Sequence, residues 1–471
     1  MGSDFESLAS ELDDAFAVHG RKPCIVVQGG QIVTFASFFN VVLSLSERLR
    51  LLGVQPGGLV AVTVPQYELS LALRLAVLRL GATIFSMREI DRTESSGVEI
   101  DKIISLRERP TFHPREVFFS SEWVAPPLGF VFPASGGGFV HATSGSSGVP
   151  KLRHDTDQVF RARIASNQSL RGNLSGAVLN AQNIATLIGQ KIAICALLEG
   201  QLQLGLQGSM EETLAALRQY EVAEAFIPPS HLRQACQIAL QEHHHFPYLK
   251  RIHVGGGAIS LGFAHTCEHV FSAELYSDYG STETDTVASG RVVEGKQDRT
   301  IYRSYYPGVE IRLDKTENGL VRVWVPESRR TNAFFEDEEL FDRDGWITLD
   351  DIGVLNPDGS LEILGRNSDI INVGGNKFAP HVLEALADGF PGISEIAAFK
   401  MPSVSHIDGI GFAVVFSEEE EKESLAKYLS QRIAVFHELE VFPVSSIPRT
   451  QGEKVDRNEL SRAFSRRDEA D

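Results

Sequence analysis

The segment His141-Ala142-Thr143-Ser144-Gly145-Ser146-Ser147-Gly148-Val149-Pro150-Lys151 interleaves hydroxyl side chains with glycines and closes on a proline and a lysine. Glycines let backbone N–H groups approach anionic oxygens closely, the hydroxyls add donors, and Lys151 adds a positive charge, so the stretch suits phosphate. Taken alone it reads equally as a flexible Gly/Ser connection. A second motif, Tyr276-Ser277-Asp278-Tyr279-Gly280-Ser281-Thr282-Glu283, follows an apolar segment and ends in a hydroxyl beside a carboxylate. That pairing suits a metal–phosphate site, with Glu283 holding Mg²⁺ against phosphate oxygens and Thr282 donating to one of them.

Two further motifs lie downstream. Gly345-Trp346-Ile347-Thr348-Leu349-Asp350-Asp351-Ile352-Gly353 leads through Asp358-Gly359 to Gly365-Arg366-Asn367-Ser368-Asp369-Ile370-Ile371. Ile447-Pro448-Arg449-Thr450-Gln451-Gly452-Glu453-Lys454-Val455-Asp456-Arg457 stands near the C-terminus. In this order and spacing the set resembles the adenylate-forming superfamily of acyl-CoA synthetases, nonribosomal peptide synthetase adenylation domains and luciferases, over nearly the whole chain. Val33-Thr34-Phe35, Gly255-Gly256-Gly257-Ala258-Ile259-Ser260 and Gly374-Gly375-Asn376-Lys377-Phe378-Ala379-Pro380 add to the resemblance. Any one of these is weak evidence; the ordered set is not.

The resemblance implies ATP-dependent activation of a carboxylic acid to an acyl-adenylate, then capture of the acyl group by a thiol. It makes Thr143, Ser144, Gly145, Ser146, Ser147, Gly148 and Lys151 the loop over the β- and γ-phosphates, and Thr282 and Glu283 the α-phosphate and Mg²⁺ contacts. Gly257 and Ala258 would border adenine, Tyr279 would join the nucleotide site, Asp351 would accept from the ribose hydroxyls, and Arg366 would add a donor. Lys454 would bridge the substrate carboxylate and the α-phosphate. On the thiol side Gly375 and Lys377 would meet CoA, and Ser368 would be the hinge. Bland alternatives are a solvated surface lysine at 454, a turn cap at Asp351 and a strand end at Glu283.

The chain departs from the family pattern at Ser368, where a charged residue is usual, at Glu453, where glycine is usual, and at Leu349-Asp350-Asp351 in place of Thr-Gly-Asp. The aromatic–His pair of many acyl-CoA synthetases is missing from Asn183-Ile184-Ala185-Thr186-Leu187-Ile188-Gly189. The acid pocket is expected near 183–190, 253–257 and 276–286, and the acid itself cannot be read from it. CoA is the expected acceptor; a carrier protein loaded in trans, or a non-catalytic nucleotide-binding relative, are the alternatives.

A length of 471 residues implies more than one domain, and 43% apolar residues suffice for buried cores. Residues 35–52 and 68–80 are spaced as helices around a buried strand at 59–64, and the alternation returns at 176–180, 210–220, 223–227 and 231–241. This predicts an α/β fold: a large N-terminal domain, 1–366, with layered α/β sheets and a small β subdomain containing strands near 309–313 and 320–325. A small mobile α+β domain, 367–471, would carry Lys454. Prolines between Arg109 and Gly138 suggest an extended connection.

The formal net charge of −18 argues against a nucleic-acid surface. Ser417 to Glu421 reads as an N-cap followed by an acidic first helical turn. Cys24, Cys195, Cys236 and Cys267 lack metal or disulfide spacing, and His243-His244-His245 reads as a surface turn. An acidic N-terminus and the lack of an eighteen-residue apolar run predict a cytoplasmic protein without a membrane span. Gly2 offers a weak similarity to a myristoylation start. A C-terminus soon after Lys454 leaves no carrier domain in the chain.

Overall fold

Parallel strands buried on both faces form the central layers. In the computed structural model the described residues are 7–86, 98–106, 114–127, 129, 131–143, 151–171, 176–255, 259–294, 300–314, 319–334, 339–373, 376–401, 409–416, 422–433, 439–450 and 454–465. Among them the strands form five sheets. A seven-stranded sheet runs in the order Asn332–Ala333, Lys151–Thr156, Gly138–Thr143, Thr83–Ser86, Leu59–Val62, Lys102–Ser105, Glu116–Phe118. Leu59–Val62 is buried at every position, as a central parallel strand must be when helices cover both faces.

A nine-stranded sheet places Ala177–Asn180, Val222–Phe226, Arg251–Gly255 and Glu274–Ser281 side by side and parallel, and Asp285–Arg291 folds back antiparallel on the last of them. The helices Phe35–Leu51, Tyr67–Arg79, Met210–Gln219 and Pro229–Gln241 fall where the apolar spacing predicts them. A five-stranded antiparallel sheet, including Glu310–Leu313, Leu320–Trp324, Trp346–Leu355 and Leu361–Arg366, is the expected small β unit.

Beyond Arg366 come a two-stranded hairpin, Ile371–Val373 with Asn376–Phe378, and a three-stranded sheet flanked by the helices Pro380–Ala385, Lys422–Ser430 and Arg457–Ser465. The buried apolar clusters respect this division. Those built from residues up to 363 contain none from 371 onward, and the reverse also holds among the described residues.

The connection expected between Arg109 and Gly138 holds more structure than its prolines suggest. Glu116–Phe118 adds a parallel edge strand, and the short helical turn Ser121–Val124 buries Trp123. Pro114 and Pro126 bracket this stretch rather than interrupt it, so the backbone N–H groups needed for pairing remain. The Ser417–Glu421 cap lies outside the described residues; the helix Lys422–Ser430 follows it.

Candidate active site

The phosphate-loop candidate joins two paired strands. Gly138–Thr143 and Lys151–Thr156 are antiparallel, with Thr143 opposite Lys151, so the pairing fixes both ends of the loop. Ser144, Gly145, Ser146, Ser147 and Gly148 lie outside the described residues, as do Gly257, Ala258 and Gly375.

Thr282 and Glu283 occupy the turn between Glu274–Ser281 and Asp285–Arg291. The turn is braced from within by Ser281 Oγ and Thr284 Oγ1, 3.1 Å apart, and Asp285 adopts a left-handed backbone with φ of 58°. Such a backbone is costly for a residue with a Cβ and persists where its surroundings hold it. Here the fully buried Lys191 ammonium donates to Asp285 Oδ1 at 2.5 Å and to Thr286 Oγ1 at 3.2 Å.

From below, the fully buried guanidinium of Arg163 donates to the backbone carbonyls of Thr282 at 3.2 Å and Glu283 at 2.9 Å. It also pairs with Asp155 Oδ2 at 2.6 Å and reaches the Arg329 carbonyl at 3.0 Å. Both carbonyls of the turn are thereby tied into the protein. The Glu283 side chain meets Arg153, whose Nε donates to Oε1 at 2.9 Å.

Asp351 and Arg366 face each other across the pairing of Trp346–Leu355 with Leu361–Arg366. Asp351 Oδ2 accepts from the Tyr279 hydroxyl at 2.9 Å, and Arg366 Nε stands 3.9 Å from Oδ1. Burial pushes the Asp351 carboxyl up, with Arg366, Tyr279 and Lys454 acting against it. Where the chain leaves this sheet, Asn367 N donates to the Asp350 carbonyl at 2.7 Å and Ser368 N to the Asp350 carboxylate at 3.3 Å.

Lys454 arrives from the C-terminal end of the chain. Arg449 bridges Val455 antiparallel and Thr450 N donates to the Lys454 carbonyl at 2.8 Å, so a small loop presents the lysine. Burial, helped by Arg366, lowers its ammonium to about 8; Asp351, Asp369 and Glu283 act in the opposite direction. Those partners place the amine in the field of the ribose-carboxylate and metal-ligand candidates together. A further tie between the two parts of the chain is Ser260 Oγ, which caps the helix Leu261–Phe271 and donates to Asp388 Oδ2 at 2.5 Å.

Tyr279, Thr282, Glu283, Asp351, Arg366 and Lys454 are thus gathered around one region. Lys377 is instead exposed on the hairpin Asn376–Phe378. Arg153, Arg163, Lys191 and Asp285 were not singled out from sequence, and neither was the buried chain Glu224–His253–Asp278. His253 donates from Nε2 to Glu224 at 3.0 Å and from Nδ1 to Asp278 at 3.1 Å, while Phe226 stacks on its ring with centroids 4.7 Å apart. Burial alone would lower the imidazole, but the two carboxylates prevail and raise it to about 9. A signal did exist for Lys191, a lone lysine inside the apolar run Leu187–Leu198.

The donor set fits a nucleotide and a hard cation. Among the described residues no group of three or more His, Cys, Asp or Glu is arranged to hold a metal. A single carboxylate such as Glu283, completed by phosphate oxygens and water, is nevertheless a usual Mg²⁺ environment. Lys454 and Arg366 bring two cationic side chains to this region, and Asp351 brings a hydrogen-bond acceptor.

No family model matches the chain. It is 25% identical over 332 residues to 2-succinylbenzoate–CoA ligase of Staphylococcus aureus strain Newman, a match covering 68% of this chain and 66% of that one. The matched segment therefore spans about two thirds of the curated relatives' length. Among solved structures, o-succinylbenzoate CoA synthetase of Bacillus subtilis with its acyl-adenylate intermediate superposes with a TM-score of 0.79 at 18% identity, covering 96% of this chain and 97% of that one. The McyG A-PCP structure complexed with phenylalanyl-adenylate gives a TM-score of 0.84 at 16% identity, covering 100% and 97%. The chain shares the fold of these adenylate-bound enzymes and is similar in sequence to the CoA ligase over about two thirds of its length.

Proposed function

We propose that this chain is an AMP-forming acid–thiol ligase that activates a carboxylic acid with ATP and passes the acyl group to a thiol, CoA in the leading reading. The observation that carries it is the position of Lys454 in the shared field of Asp351, Arg366 and Glu283. An anionic carboxylate must approach a polyanion, so the site has to supply positive charge where negative charge accumulates. Lys454 meets the carboxylate and the α-phosphate, Arg366 adds a second cation, and Thr282 donates to the α-phosphate. Asp351, oriented by Tyr279, accepts from the ribose. Mg²⁺ on Glu283 would offset phosphate charge during displacement of pyrophosphate.

Residues 144–148 and Lys151 are proposed to cover the β- and γ-phosphates, Gly257 and Ala258 to border adenine, and Gly375 and Lys377 to meet the thiol substrate. We further propose two domains, 1–366 and 367–471, pivoting at Ser368; the separate apolar clusters on either side support this. A carrier protein as acceptor in trans is the second reading, favoured by the likeness to the McyG A-PCP structure complexed with phenylalanyl-adenylate. Among the described residues no helix is long and apolar enough to cross a membrane; a cytoplasmic location is proposed from composition.

The deciding test is acid-dependent exchange of labelled pyrophosphate into ATP across a panel of acids, followed by thioester formation with CoA or with a pantetheinylated carrier. Exchange with none of the acids, in folded protein that binds ATP, would favour a non-catalytic nucleotide-binding relative.

A further inference from the structure

Arg153 is the third residue of Lys151–Thr156, the strand that leaves the phosphate-loop candidate. Its side chain is 3% exposed and Glu283, at 17%, forms the more open side of the pair. The guanidinium therefore backs the carboxylate from the protein side, with Nε on Oε1 at 2.9 Å and Nη1 on the Leu152 carbonyl at 3.2 Å. A cation fixed there does two things to an incoming divalent ion. It occupies one carboxylate oxygen, and it repels the ion directly. No second acidic or imidazole cluster among the described residues compensates, since none is arranged to hold a metal.

We propose that Arg153 guards Glu283, so that the nucleotide-free protein has little affinity for divalent cations and the metal enters only in company with phosphates. The negative charge of the phosphates offsets the guanidinium, and Glu283 then completes a coordination sphere that it does not create alone. Arg153 is thus a positioning residue that couples metal binding to nucleotide binding. This rests on the reading above that Glu283 faces the metal.

The test uses the full-length chain without nucleotide and Mn²⁺ as the probe, with free Mn²⁺ followed by electron paramagnetic resonance. Arg153→Leu is expected to bind Mn²⁺ roughly tenfold more tightly than the parent, the effect of removing a unit charge about 6 Å from a divalent ion even at a water-like dielectric constant. Arg153→Gln, neutral and polar, repeats the measurement if the leucine variant does not fold, and Arg153→Lys should stay near the parental affinity. Adding Glu283→Gln to Arg153→Leu should abolish the gain. Equal Mn²⁺ affinity in parent and neutral variants, or a gain that survives the loss of Glu283, overturns the proposal. Pyrophosphate exchange by the parent is scored separately: its absence counts against the ligase reading, while the Mn²⁺ titrations still decide the role of Arg153.

Discussion

The Tyr279 hydroxyl donates to Asp351 Oδ2 at 2.9 Å, and this bond helps tie the nine-stranded sheet that carries Thr282 and Glu283 to the five-stranded sheet that carries Asp351 and Arg366. It leaves the second Asp351 oxygen to Arg366, 3.9 Å away. Asp351→Ala should weaken ATP binding by about 10- to 100-fold, the scale of losing hydrogen bonds to a charged acceptor. Tyr279→Phe should weaken it less. Calorimetry that finds parental ATP affinity in the Asp351 variant would remove the ribose role.

Lys454→Ala should slow adenylation by a factor on the order of 10²–10³, since the charge meets the transition state where carboxylate and phosphorus join. Thioester formation from a supplied acyl-adenylate should be spared. Equal loss in both half-reactions contradicts the assignment.

The lowered ammonium of Lys454 gives a pH signature. The amine is charged below about 8 and neutral above it in the free enzyme, so kcat/KM for ATP in pyrophosphate exchange should fall as pH rises through about 8. Lys454→Arg keeps its charge throughout this range. If that variant retains exchange, its high-pH limb should move upward; an unmoved limb assigns the titration to another group.

Glu283→Gln should raise the Mg²⁺ concentration needed for half-maximal exchange and slow the reaction, because an amide is a poorer ligand for a hard cation. An unchanged Mg²⁺ dependence at parental rate would place the metal elsewhere.

His253 links stability to pH. Its imidazole lies above the unfolded value, so its contribution is full below about 6.5 and fades as pH rises through about 9. The unfolding free energy obtained from denaturant titrations should drop over that interval by about 3 kcal/mol. His253→Gln should flatten the drop; a parental slope in that variant would refute the linkage.

Ser368→Pro probes the proposed pivot. Proline fixes φ near −65°, restricts Asn367 before it, and removes the N–H that donates to Asp350 at 3.3 Å. Pyrophosphate exchange should stay near normal while thioester formation falls strongly. A folded variant running both half-reactions at the parental rate counts against a two-arrangement cycle.

The helices and central strands are legible because apolar spacing alone sets them, and the motif order names Glu283, Asp351, Arg366 and Lys454 as one set. What stayed hidden was the support beneath them. Arg153 and Glu283 are 130 residues apart, and Lys191 and Asp285 are 94 apart. Periodicity reports which face a residue occupies, not which distant charge it will meet. A buried arginine such as Arg163 also looks, in sequence, like the solvated surface residue that arginine usually is. The edge strand Glu116–Phe118 escaped notice because flanking prolines read as interruptions when they were boundaries.

Among the described residues, no buried apolar cluster spans both sides of Asn367; the ties across it include Ser260 with Asp388 and the charges around Lys454. Exposed charges are screened over about 8 Å at physiological ionic strength, whereas charges withdrawn from water are screened far less. The seating of Lys454 against the rest of the protein rests on charges withdrawn from water, so dissolved electrolyte alters it little at constant temperature and sequence. Burial thereby insulates the arrangement around Lys454 from the salt content of the surrounding solution.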